Sequence, residues 1–155
     1  MRIHEPVCVV HPGHEQLSLA GVEQHVRVVY VEPARRLPAV VSGLGCHPVI
    51  LLGHASAGPI VLRFALEHPA AVSGLVLYSP AADDEDLSAL TLPTLIVTGA
   101  HDAVCSPSRA ALLHGRIGGS ALLVLPGSGS QAHLSQPVAF TGAVAEFIHL
   151  VIDVT

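Results

Sequence analysis

Residues 49–69 read VILLGHASAGPIVLRFALEHP and contain the strongest indication of the fold in the sequence. Residues 49–52 are continuously apolar, which is typical of a strand that is buried on both faces. From residue 57 to residue 67 apolar side chains recur at helical spacing, for example Val61 and Ala65. A buried strand that turns sharply into an amphipathic helix is the repeating unit of a parallel sheet with helices on its faces.

The same alternation extends in both directions along the chain. Further apolar runs that predict strands occupy residues 7–10, 26–31, 75–78, 94–98 and 122–125. Further segments that predict helices occupy residues 83–90, 106–115 and 137–152. We therefore predict the α/β class. The expected architecture is a single three-layer domain over residues 1–155, with a mostly parallel, twisted sheet of about six strands and helices on both faces.

Composition narrows the function classes. Hydrophobic residues make up 50% of the 155 residues and charged residues 12%, and the net charge is −5. The seven basic residues form no stripe, which argues against a nucleic-acid partner. No apolar run reaches the roughly 18 residues of a membrane helix, and the first residues lack a signal-peptide pattern, so we expect a cytoplasmic protein. The spacing of Cys8, Cys46 and Cys105 predicts no disulfide framework.

Polar side chains collect where the predicted strands end. In an open parallel sheet, ligands bind outside the carboxyl ends of the strands. The loops at that edge contain His11, His14, His54, Ser56, His101, Asp102, Ser128, Ser130 and His133. Polar loop ends are common, but this concentration of His, Ser and Asp favours a functional pocket.

Four segments resemble parts of the α/β-hydrolase superfamily. Residues 49–58 resemble its strand and nucleophile turn, residues 74–80 its next strand, residues 94–102 the strand and turn of its acid, and residues 127–137 its histidine loop. The resemblance spans residues 7–151. It implies the fold predicted above and acyl-transfer chemistry by a Ser-His-Asp triad, without a resident cofactor or metal.

The residue that matches the family's nucleophile is Ala55. The family motif is Gly-x-Ser-x-Gly on a strained turn, and Ala55 stands where its serine would be. Ser56, one residue later, is then either a displaced nucleophile or a hydroxyl that caps the following helix. The backbone N–H of Ser56 matches one of the family's oxyanion donors, and the N–H of Gly13, or else of His14, would be the other, because Pro12 has no N–H.

The matches to the other two triad members are mixed. Ser130 stands where the resemblance places the catalytic histidine, and His133 follows three residues later. His133 is therefore either a displaced base or a packed structural histidine. Asp102 matches the family's acid, but aspartate is also frequent in turns.

The family inserts a lid between the strands at 75–78 and 94–98. Here about a dozen residues connect them, including the acidic run at 83–86, so we expect no lid insertion and an open site. An open site favours a bulky or carrier-borne acyl substrate, or a partner surface, over a small buried substrate.

Three hypotheses follow. The first is a hydrolase of ester, thioester or related acyl bonds, whose substrate is a small molecule or is borne on a carrier. In it, Ser56 is the nucleophile, Asp102 the orienting acid and His133 the base. In a variant of this mechanism, Asp102 and a histidine activate water directly. The second is a non-catalytic binding protein whose partner is another protein or a second copy. The third, a metal site, is disfavoured because no recognised zinc spacing is present. Its ligands would be His11, His14, His54 and His133.

Overall fold

A computed structural model describes residues 7–10, 23, 26–44, 48–82 and 86–154. The residues named above that lie outside these ranges are His11, Pro12, Gly13, His14 and Cys46. The expected oxyanion donor Gly13 therefore falls outside the described residues. So do two of the four expected metal ligands, His11 and His14, and most of the acidic run at 83–86.

The described residues form a six-stranded, fully parallel sheet in the order β2-β1-β3-β4-β5-β6. The fold class predicted from the sequence is confirmed. Because β3, β4 and β5 lie inside the sheet and both their faces are covered, their residues are almost all buried. The strands are β1 Val7–Val10, β2 Val28–Val31, β3 Val49–His54, β4 Val72–Tyr78, β5 Thr94–Gly99 and β6 Ser120–Leu125.

Helices cover both faces of the sheet. Successive residues of a strand point to opposite faces, so Leu75 and Leu77 of β4 face one helical layer and Val76 and Tyr78 face the other. The first layer contains α1, α2 and α3, and the second contains α4 and α5. The helices are α1 Leu37–Gly43, α2 Ala57–Glu67, α3 Pro107–Arg116, α4 Ala132–Ser135 and α5 Pro137–Val154, with short 3₁₀ helices at Ala34–Arg36 and Pro69–Ala71.

The connection from β4 to β5 differs from the prediction. We expected a helix over residues 83–90, but the described part of this segment, residues 86–90, forms a turn. The side chain of Asp86 accepts a hydrogen bond from the Ser88 N–H at 3.0 Å, and the Leu90 N–H bonds the Leu87 carbonyl at 3.0 Å. An aspartate that bonds its neighbouring backbone favours a turn over a helix. Buried Leu87 and Leu90 anchor this turn to the core.

The length and apolar character of the described helices determine whether one of them could cross a membrane. Among residues 7–10, 26–44, 48–82 and 86–154, no helix combines the length and the apolar character needed to cross a membrane.

Candidate functional site

The sharp bend after β3 is centred on Ala55. Its φ angle is 52°, in the left-handed region that residues with a Cβ atom rarely adopt. The Ala55 N–H donates to the Tyr78 carbonyl at 3.0 Å, and the Ala55 carbonyl accepts from Gly58 and Ala81 at 3.0 and 2.9 Å. These bonds tie the bend to the end of β4. The side chain that this strained backbone presents is the methyl group of Ala55.

Gly53 is required two residues before the bend. A Cβ atom added there would lie 2.6 Å from the Val61 Cγ2 atom and 2.7 Å from the Ala57 carbonyl oxygen. The absence of a side chain lets the first turn of α2 approach β3 closely. The backbone of a nucleophile turn is thus in place around Ala55.

Ser56 lies on the surface at the start of α2. It is exposed, and its backbone is helical, with φ −65° and ψ −16°. Within the described residues of this turn, its hydroxyl makes no capping hydrogen bond, so the expected capping role is wrong. A helical backbone removes the extended geometry in which an N-cap serine reaches the N–H groups of the first turn.

Buried rings pack directly behind the bend. His54 and Tyr78 are opposite each other in the β3–β4 register, and their rings stack with centroids 4.2 Å apart. The His54 Nε2–H donates to the Ser130 carbonyl oxygen at 2.9 Å, since a carbonyl can only accept. The His133 ring meets the rings of His54 and Tyr78 edge-on, with centroids 5.6 Å away in each case. We call His54, Tyr78 and His133 the ring cluster.

The Tyr78 hydroxyl contacts His133 at two atoms. The His133 backbone N–H donates to the Tyr78 hydroxyl at 2.9 Å, and the His133 Nδ1 atom lies 2.7 Å from the same oxygen. Because the hydroxyl accepts the backbone proton, it can donate its own proton to Nδ1, which leaves the ring proton of a neutral histidine on Nε2. His133 is 7% exposed and Tyr78 is fully buried. The Nδ1 atom and the backbone N–H of His133 are thus both in contact with Tyr78.

Asp102 is bound by its own loop and by neighbouring strand ends. One carboxylate oxygen accepts from the backbone N–H groups of Val104 and Cys105 at 2.9 and 2.8 Å. The other accepts from the Ser79 hydroxyl, from the Thr98 hydroxyl at 3.1 Å and from the Gly99 N–H at 3.3 Å. None of these donors, all in the described part of the chain, is a histidine.

These hydrogen bonds set the charge state of Asp102. Burial disfavours the ionised form and is the largest single influence, but the bonds from Cys105, Ser79, Gly99 and Thr98 outweigh it together and lower the pKa of Asp102 below its ordinary value. Ser79 is fully buried and has a φ angle of 43°, so the carboxylate also holds a strained strand end. Asp102 is therefore an ionised structural anchor for the ends of β4 and β5.

The structure thus places the three predicted catalytic residues in different surroundings. Ser56 is exposed, His133 is buried in the ring cluster, and Asp102 is buried among backbone donors. Tyr78 and Ser79 were not among the site residues predicted from the sequence. The available signal was their position at the end of a buried strand next to the bend, where a tyrosine hydroxyl or a serine needs a polar partner.

The described residues include side chains of the types that bind metal ions. Within the ranges that the structure describes, no three His, Cys, Asp or Glu side chains are grouped so that they could hold a metal ion.

A protein-family model matches more than half of this chain. The model of the Ndr family, a family of the α/β-hydrolase fold, matches residues 2–91. The chain belongs to the Ndr family. Protein NDRG1-B from Xenopus laevis is 39% identical to it over 75 residues, which are 48% of this chain and 19% of that protein. The matched part of this Ndr-family chain thus spans about a fifth of that relative's length.

Solved structures support the same fold. An esterase from Thermogutta terrifontis superposes on the Ndr-family chain with a TM-score of 0.81 at 16% identity, covering 97% of this chain and 91% of that one. The esterase EaEST from Exiguobacterium antarcticum gives 0.79 at 18% identity, with 96% and 93% covered. At these identities the likeness shows the α/β-hydrolase fold alone, and it confirms the resemblance found in the sequence.

Proposed function

We propose that this Ndr-family chain is a non-catalytic binding protein that retains the α/β-hydrolase fold. The observation behind the proposal is the methyl group of Ala55 at the left-handed bend. An alanine offers no lone pair to an acyl carbon. In a serine hydrolase, loss of the nucleophile lowers turnover about a million-fold, or roughly 8 kcal/mol.

The neighbouring groups support the proposal. The exposed hydroxyl of Ser56 follows the bend and lies on the first turn of a helix. His133 Nδ1 is engaged by Tyr78, and both oxygens of Asp102 are engaged by other donors. A base must lie within about 3 Å of the proton it removes, or one bridging water away. The hydrolase hypothesis, with Ser56, His133 and Asp102 as its triad, would need these contacts to be broken and rebuilt.

The test is covalent labelling with a fluorophosphonate, read by intact-protein mass spectrometry. We expect no adduct on the wild-type chain and no difference between the wild type and Ser56→Ala. An adduct that forms on the wild type and disappears in Ser56→Ala would overturn the proposal and support the hydrolase hypothesis.

A gain-of-function control uses Ala55→Ser combined with Ser130→His. The Ser130 carbonyl lies 2.9 Å from the His54 ring, so residue 130 is next to the bend. We expect the double variant to label slowly at residue 55, and we expect Ala55→Ser alone to label less, because it lacks an adjacent base.

A further inference from the structure

A groove opens between α2 and α3 on the face of the sheet opposite the ring cluster. We define the α2–α3 groove by its apolar lining: Leu62, Leu77, Leu87, Leu112 and Leu113. Its volume is about 400 Å³, within the range of roughly 300–1,000 Å³ that is usual for small-molecule sites. The described part of the β4–β5 connection, residues 86–90, forms a turn, and its Leu87 lines the groove.

The apolar lining is open to water. Leu112 is 69% exposed although it belongs to the groove wall. Leu77 at the floor is fully buried and Leu87 is 4% exposed. The floor of the groove is therefore packed into the core, whereas Leu112 in its wall remains in contact with water. An exposed leucine above an apolar floor favours a ligand with apolar surface to bury.

The charged side chains that line the groove within the described residues are Arg109 and Arg116. They lie seven residues apart on α3, which is two turns and about 10 Å along one face. Asp86 stands near Arg116 but is exposed, and its carboxylate accepts the Ser88 N–H. Among the described residues that line the groove, the net charge is therefore positive.

Arg109 is held in place by neutral acceptors. Its Nη1 donates to the Val104 carbonyl at 2.7 Å, and its Nη2 donates to the Pro80 carbonyl. Carbonyl oxygens orient a guanidinium without cancelling its charge, and an arginine has five N–H donors, so donors remain for a further acceptor. A fixed cation beside apolar surface is suited to an anionic group attached to an apolar body.

We infer that the α2–α3 groove binds an aliphatic carboxylate, with its chain along the leucines and its head group at Arg109. This inference deepens the proposed function, on which it rests, by naming a site and a ligand class. The groove shares Gly58 and Ala81 with the bend, but the fluorophosphonate reports on the Ser56 hydroxyl and the binding experiment reports on the arginines, so the two experiments can fail independently.

Isothermal titration calorimetry of the full chain with decanoate below its micellar concentration tests the inference. We expect saturable binding of decanoate that weakens as salt is added, because added ions screen the arginine charges. We expect decylamine, which has the same chain and a cationic head, to bind at least about tenfold more weakly. Equal binding of decanoate and decylamine would overturn the inference.

Four variants locate the site. Arg109→Gln and Arg116→Gln should each weaken decanoate binding, Arg109→Gln by about tenfold. Arg63→Gln is the matched control, because Arg63 is a helical arginine that does not line this groove, and it should leave binding unchanged. Ala82→Trp places a large side chain at an exposed position of the groove rim and should abolish binding.

The controls keep each outcome decisive. Because Arg109 also bonds two carbonyls, urea unfolding must show that its variant is folded, and exposed Arg116 provides a second, independent arginine variant. Unchanged affinity in Arg116→Gln and in a folded Arg109→Gln would refute the site. A dimer in sedimentation velocity that decanoate does not dissociate and that Ala82→Trp abolishes would assign the groove to a second copy instead.

Discussion

At the residue scale, Asp102 shows how a residue from a catalytic pattern can act as structure. Its carboxylate gathers N–H and O–H donors from β5, from its own loop and from Ser79 at the end of β4. Hydrogen bonds to a charged group are worth about 1.5–3 kcal/mol each, and a buried donor that loses its partner is costly. The geometry of the site's edge therefore depends on ionised Asp102.

We expect Asp102→Asn to lower the free energy of unfolding by about 2–3 kcal/mol at pH 7, because an amide cannot accept from all these donors. The folded-state pKa of Asp102 is lowered, so its contribution is complete above the unfolded pKa of about 3.9 and is lost as pH falls through the folded value. Urea unfolding at pH 7 and pH 3 should show the two proteins converging at acid pH.

Asp86→Asn is the matched control for this prediction. Asp86 is exposed and bonds mainly its neighbour Ser88, so solvent screens its interactions and we expect a smaller effect. Equal losses for Asp86→Asn and Asp102→Asn at pH 7 would contradict the anchoring role.

At the element scale, the Tyr78 hydroxyl joins β4 to α4. It accepts the His133 backbone N–H and contacts the His133 ring, and Phe140 of α5 packs 4.4 Å from the Tyr78 ring. A helix of four residues such as α4 has few bonds of its own. The Tyr78 hydroxyl therefore helps to hold α4 on the sheet, together with buried Ala132 and the hydrogen bond from the Ser135 hydroxyl to the Ser128 hydroxyl.

We predict that Tyr78→Phe lowers the free energy of unfolding by about 1–3 kcal/mol, because the buried N–H of His133 loses its acceptor. Tyr30→Phe serves as control, since Tyr30 is 48% exposed and its hydroxyl bonds Glu23 at the surface. Urea unfolding of both variants measures the difference. A loss in Tyr30→Phe as large as in Tyr78→Phe would show that Tyr78 has no special role.

The sequence predicted the strands well because both faces of a parallel sheet are buried, which leaves continuous apolar runs. It missed α1, whose seven residues include Pro38 and Gly43 and give little helical signal. The position of Ala55 followed from local spacing. The partners of Asp102 and His133 did not, because Ser79 and Tyr78 reach them across 23 and 55 residues of sequence, a distance that local patterns do not encode.

At the scale of the whole molecule, burial increases from the edges of the sheet to its centre. The residues of β3 and β5 are all buried, whereas β6 at the edge is mostly half-buried, with Ala121 exposed and Leu125 buried. Central strands open only when the domain unfolds globally, while edge strands open locally at lower free energy.

We therefore expect amide hydrogen exchange, followed by mass spectrometry, to be slowest in peptides from β3, β4 and β5. Peptides from β6 should exchange faster, because one side of that strand has no hydrogen-bonded neighbour in the described sheet. Exchange in β6 as slow as in β4 would mean that another segment or a second copy covers this edge.

The left-handed backbone at Ala55 has a consequence for how the molecule's stability is distributed. Such a conformation costs about 1–2 kcal/mol for any residue with a Cβ atom. The hydrogen bonds of the Ala55 backbone with Tyr78, Gly58 and Ala81 offset part of this cost. A glycine at position 55 would relieve the unfavourable backbone conformation while keeping these bonds, so the stability stored elsewhere in the sheet compensates for a local penalty at this one residue.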